Sequence, residues 1–183
     1  MSFFTENRAR LREALAETKK LPSMVGGSMM IALHVIIDRF ATIQVSQLLE
    51  IGFSFLALAA SGFLYGPLVG ALVGGVADIL GFLIRSNGAF FIGFTLNEFL
   101  GGLLYGLWLY KRPVKLWRTF AAVACVSILV SFILNPIWLH IMYGNALALS
   151  TLRMVKTAIK LPVDTALLFA LLKGLEKYKA VKR

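Results

Sequence analysis

The chain has 183 residues, of which 58% are hydrophobic and 15% charged, and its mean hydropathy is +0.79. Soluble domains lie nearer 45 to 50% apolar and about 25% charged, so this composition excludes an ordinary soluble domain and indicates an integral membrane protein. The formal charge of +10 would fit a nucleic-acid binder if it were spread over one surface, but most of it lies in three short clusters.

Those clusters are Arg8, Arg10, Arg12, Lys19 and Lys20, then Lys111, Arg112, Lys115 and Arg118, then Lys173, Lys177, Lys179, Lys182 and Arg183. With all three on the cytoplasmic side, the positive-inside rule accounts for the basicity and no nucleic-acid partner is needed. The first 22 residues lack the apolar core of a cleavable signal peptide. Phe3, Phe4, Leu11 and Leu15 beside basic residues predict a helix lying on the inner membrane surface.

Six membrane spans follow in order, at about Ser23 to Ile43, Leu48 to Leu64, Pro67 to Ile84, Gly88 to Tyr110, Trp117 to Tyr143 and Thr151 to Leu172. Each approaches the roughly 20 mostly apolar residues that a helix needs to cross a bilayer. The expected organisation is a cytoplasmic amphipathic segment over 1–22, one all-α six-helix transmembrane domain over 23–176, and a basic cytoplasmic tail over 177–183. An even number of spans puts both termini on one side. The outer connections then fall at Ala41 to Ser46, Arg85 to Ala89 and Gly144 to Ser150.

In the first span, Ser28 and Ala32 form a small-xxx-small pair beside Gly26 and Gly27, a face suited to close helix contact within the chain or with another membrane protein. The third span carries Gly66, Gly70, Gly74 and Gly75, which predicts internal packing. The second span begins weakly, with Glu50. The sixth contains Arg153, Lys156, Lys160 and Asp164, and Pro162 is expected to interrupt its hydrogen-bond ladder. The single cysteine, Cys125, lies in an apolar run and reads as a small core residue.

Polar residues within a membrane face a cavity or one another. Asp38, Arg39, Asp78, Arg85, Asn97, Glu98, Asn135, Trp138, His140, Arg153, Lys156 and Lys160 all map to the outer halves of their spans, whereas the inner halves are almost purely apolar. That distribution argues against a continuous ion path and predicts a pocket open to the outside for a polar organic solute. Arg153, Lys156 and Lys160 share one helical face, able either to pair with substrate carboxylates or to be neutralised by Asp164 and Glu98. Two histidines make a weak metal case, and no HExxH, GxSxG or Walker A pattern occurs.

Several runs carry a resemblance: Gly52-Phe53-Ser54-Phe55, Tyr65-Gly66-Pro67-Leu68-Val69-Gly70-Ala71, Ala77-Asp78-Ile79-Leu80-Gly81, Gly88 to Leu96, Leu103 to Lys111, and Asn135-Pro136-Ile137-Trp138-Leu139 with Tyr143-Gly144. In this order they resemble the substrate-binding S components of energy-coupling factor (ECF) vitamin transporters, most closely the folate-specific type. The resemblance implies capture of folate from outside, with a transmembrane coupling subunit and two cytoplasmic ATPase subunits as partners. ATP would be bound by those partners, and the chain itself would carry no cofactor and no catalytic or metal site. It also implies docking on the coupling subunit through Ser28 and Ala32.

For folate, Asn97, Glu98 or Asp78 would meet the pterin edge, Trp138 and Phe94 would stack on rings, and Arg39, Arg153 or Lys156 would take carboxylates, with Asn135 also in the pocket. Pantothenate is the alternative substrate. Rivals of other classes are an intramembrane enzyme using Glu98, Asp78 and His140, a small channel, and a structural membrane subunit.

Overall fold

The computed structural model describes residues 18–46, 49–84, 90–143 and 147–181, with the side chains of 43–51, 143, 147–156, 158 and 179–181 outside that description. The N-terminal segment with Phe3, Phe4, Leu11 and Leu15, and the connection containing Arg85, also lie outside it.

Among the described residues, six helices carry the fold. Helix α1 spans Leu21–Phe40 and starts with Pro22 in its first turn, where a missing N–H costs no intrahelical bond. Helices α2 (Phe55–Tyr65) and α3 (Pro67–Ile84) meet at Gly66, whose φ of 99° is a conformation that favours glycine. Helix α4 spans Ile92–Leu109. Helix α5 is built from three consecutive segments, Leu116–Val126, a π-helical Ser127–Leu134 and Asn135–Tyr143. Helix α6 runs over 35 residues, Leu147–Val181.

The second and sixth spans differ from expectation. Residues expected to start the second span instead form a hairpin, β1 (Ile43–Ser46) with β2 (Leu49–Ile51), in which Gln44 opposes Glu50 across the antiparallel pair. Ile43-Gln44-Val45-Ser46 alternates apolar and polar residues with the period of a strand, and Gly52 follows. Helix α2 is thereby shortened to 11 residues, of which Ala57 to Phe63 are all buried. A short helix that is apolar on every side belongs in the interior of the bundle. Helix α6 continues through Pro162, which removes one backbone bond from its ladder without ending it.

Among the described residues, three segments, Leu21–Phe40, Pro67–Ile84 and Leu116–Met142, are long and apolar enough by themselves to cross a membrane. Their outer faces carry bare hydrophobic side chains: Met29, Leu83 and Ile84 are each about two-thirds or more exposed. Lipid is the solvent that makes such faces stable.

The bundle centres on α3 against α4. A Cβ at Gly70 would lie 2.7 Å from the Gly102 carbonyl oxygen, and one at Gly74 would collide with the Glu98 carbonyl. The two backbones are therefore in contact, as the small-residue series predicts. Around this pair Leu58, Phe63, Val73, Tyr105, Leu109, Val123, Leu168 and Leu172 form the core. Cys125 is only half-buried on α5.

Candidate functional site

The C-terminal ends of α1, α3 and α5 and the N-terminal ends of α2, α4 and α6 all lie at one end of the bundle, beside the hairpin. Polar residues spread over more than a hundred positions in sequence are brought together there. A cavity of about 330 Å³ is lined by Asp38, Thr42, Gly52, Asp78, Phe94, Asn97, Glu98, Val130 and Asn135. A second, of about 220 Å³, shares Gly52, Asn97, Glu98 and Val130 with it and continues between α2, α4, α5 and α6. Ser54, Phe55, Tyr105, Ser127, Ser131, Thr157, Lys160 and Asp164 are among its walls.

Cross-helix hydrogen bonds brace these walls. Asn97 Nδ2 donates to Asn135 Oδ1 at 2.9 Å, and Trp138 Nε1 donates to Asn97 Oδ1 at 3.0 Å. Thr95 Oγ1 donates to Asp78 Oδ2 at 2.5 Å, joining α4 to α3. Ser54 Oγ donates to Asp38 Oδ1 at 3.4 Å, and Arg39 Nε lies 3.6 Å from Asp38 Oδ2. His34, buried on α1, places Nε2 3.9 Å from Glu98 Oε2.

Asp78, Phe94, Asn97, Glu98 and Asn135 thus surround one cavity. Trp138 is not on the cavity surface: its indole is committed to Asn97 and its ring sits edge-on to Phe91 at 5.6 Å. Arg39 is also outside the lining, ion-paired to Asp38 and packed over Gly81. Arg153 and Lys156 fall on α6, with side chains outside the described residues. His140 is exposed and does not join Asp78 and Glu98, so the triad required by an intramembrane enzyme does not assemble.

Of the three basic residues on that face of α6, Lys160 is the one whose side chain is described. Its Nζ donates to the Gly52 carbonyl at 2.7 Å, pairs with Asp164 Oδ2 at 3.2 Å, and stands 4.9 Å from the Phe55 ring centre. It locks α6 to the start of α2 and neutralises Asp164. Asp38, Thr42, Ser54 and Tyr105 are wall or bracing residues that sequence reading does not single out as site residues. Asp38 had a signal, a charge at the end of an apolar span, whereas an isolated Ser, Thr or Tyr in a span carries none.

On α1, Gly26 and Gly27 face inward, against Tyr65 and Val69, while Ser28 and Ala32 are exposed. Ser28 Oγ donates to the Met24 carbonyl at 3.0 Å, so its hydroxyl is satisfied within the helix, and the two small residues are exposed among the larger Met24, Val25, Met29 and Leu33. Among the described residues, no group of three or more His, Cys, Asp or Glu is placed to hold a metal.

A helical membrane bundle with a polar cavity at one end, bounded by carboxylates, amides and aromatic rings, defines a solute-binding membrane protein. A family model described as "ECF transporter, substrate-specific component" matches residues 23–177, and the chain belongs to that family. Its members are transporter subunits rather than enzymes. The chain is 36% identical over 166 residues to the folate transporter FolT of Clostridium novyi, covering 90% of this chain and 96% of that one. It is 32% identical over 152 residues to FolT of Leuconostoc mesenteroides, covering 79% and 81%. The crystal structure of FolT bound with folic acid superposes with a TM-score of 0.76 at 33% identity, over 82% of this chain and 91% of that one.

Proposed function

We propose that this chain is the folate-binding S component of an ECF transporter, taking folate from outside a bacterial cell and delivering it inward. The observation that carries the reading is its likeness, in sequence and fold, to a FolT crystallised with folic acid. The cavity chemistry agrees. Asp78 and Glu98 supply acceptors for the N–H donors of a pterin edge, Asn97 and Asn135 fix its orientation, and Phe94 offers a ring face. Arg39, Trp138, Arg153 and Lys156 remain expectations for the rest of the ligand, with Arg39 and Trp138 acting through Asp38 and Asn97.

Transport itself falls to partners: a transmembrane coupling subunit, docked on the exposed Ser28 and Ala32 of α1, and two ATPase subunits that hold the ATP. The three basic clusters, by the positive-inside rule, support a cytoplasmic side for both termini. Calorimetric titration of the detergent-purified chain with folate, and with pantothenate for comparison, tests the reading. One-to-one folate binding without ATP or partners is expected. Binding of pantothenate alone would replace the substrate, and binding of neither would reject the S-component function.

A further inference from the structure

The π-helical run Ser127–Leu134 lies in the middle of α5 and ends at Asn135, a cavity residue. The Asn135 N–H donates to the Val130 carbonyl, five residues back, and the next residue is Pro136. In an unbroken α-helix, Pro136 would lose its bond to the residue-132 carbonyl and its ring would press on that oxygen. The widened turn removes the conflict, because Pro136 enters as the second residue of a new α-segment, where no partner is required of its nitrogen.

The wider turn also sets direction. A π turn closes its hydrogen bonds one residue later than an α turn, and one residue corresponds to about 100° around an α-helix. Everything after Leu134 is therefore rotated relative to the continuation of Leu116–Val126. The residues brought round are Asn135 and Trp138, the two that hydrogen-bond Asn97. Within the π run, Val130 and Ser131 line cavity walls.

We propose that Pro136 is a positioning residue of the ligand site: it holds α5 in the π register that delivers Asn135 and Trp138 to Asn97. Its consequence for binding rests on the folate reading above; its consequence for geometry does not. The test uses the full chain with Cys125→Ala, in which Asn97→Cys and Asn135→Cys are joined by a short bis-methanethiosulfonate reagent, with and without Pro136→Ala. In parallel, Pro136→Ala in the otherwise unsubstituted chain is titrated with folate, its fold checked by thermal unfolding in detergent. If the alanine variant does not purify, Pro136→Ser restores the same N–H.

The expected result is efficient crosslinking with Pro136, at least a tenfold loss of crosslinking rate with alanine, and at least a tenfold weaker folate affinity in a chain that still unfolds cooperatively. Unchanged crosslinking in the alanine variant would overturn the proposal whatever the ligand. Lost crosslinking with unchanged folate affinity would overturn the positioning role. Loss of crosslinking together with no folate binding by the unsubstituted chain would support the register and reject the folate reading instead.

Discussion

The indole Nε1–H of Trp138 donates to Asn97 Oδ1 at 3.0 Å, so the tryptophan of α5 and an amide in the first third of α4 form one unit. Trp138 shapes the cavity from behind by fixing which way the Asn97 amide points. Asn97→Ala would leave both the Trp138 indole and Asn135 without their partner. An orphaned buried polar group costs about 1 to 3 kcal/mol. Folate affinity measured by calorimetry is expected to fall at least tenfold, with a smaller loss for Asn97→Asp, which keeps the acceptor. Unaltered affinity in the alanine variant would remove Asn97 from the site.

Lys160 and Asp164 are the cation and anion of a largely buried pair, with side chains 20% and 15% exposed. Removing one partner of a buried pair costs on the order of 3 to 5 kcal/mol, because the other charge is left behind. Lys160→Met is expected to destabilise the chain in detergent by an amount near the lower end of that range, read as a lowered unfolding midpoint. Lys160→Met with Asp164→Leu should recover most of it. Equal loss in the single and double variants would mean that the bond to the Gly52 carbonyl, rather than charge, is what Lys160 supplies.

Gly70 and Gly174 provide a contrast on packing. A Cβ at Gly70 meets the Gly102 carbonyl, whereas one at Gly174 meets nothing within 4 Å. Gly70→Val should prevent α3 and α4 from closing and yield aggregated protein on size-exclusion chromatography. Gly174→Ala should leave the elution unchanged and stabilise the chain by up to about 1 kcal/mol, the helix-propensity difference between the two residues. Normal behaviour of Gly70→Val would contradict the backbone contact.

Ser28→Trp and Ala32→Trp test the outer face of α1. Both positions are exposed and away from the cavity, so folate binding by the isolated chain should be retained. Uptake into vesicles reconstituted with the coupling and ATPase subunits should be abolished by the bulk. Full uptake in both variants would place docking elsewhere.

Much of the lining of the candidate cavity was legible in residues that have a cost in a membrane. Asp78, Asn97, Glu98 and Asn135 stand out because each is expensive in an apolar span, and all four line one cavity. Arg39 stands out for the same reason, yet it spends its charge on Asp38, a pairing that depends on side-chain geometry and not on depth along the helix. Trp138 reads as a stacking ring from its type alone, and its bracing bond to Asn97 is visible only in the fold. The hairpin at Ile43 to Ile51 was hidden because a few alternating residues beside a long apolar run add little to an average over a span.

Composition by itself determined that this is a membrane protein, and the run lengths located most of its apolar helices, because transfer into lipid depends on residue type and hardly on neighbours. The glycine series of α3 likewise announced a close helix contact, since the absence of a side chain is a property of the residue. The tertiary structure decided which polar groups meet, that Lys160 is spent on Asp164 and the Gly52 carbonyl, and that α5 turns Asn135 and Trp138 toward Asn97. Those outcomes depend on the rotation of each helix about its own axis, which is set by packing against the others and, in α5, by a π turn ahead of Pro136.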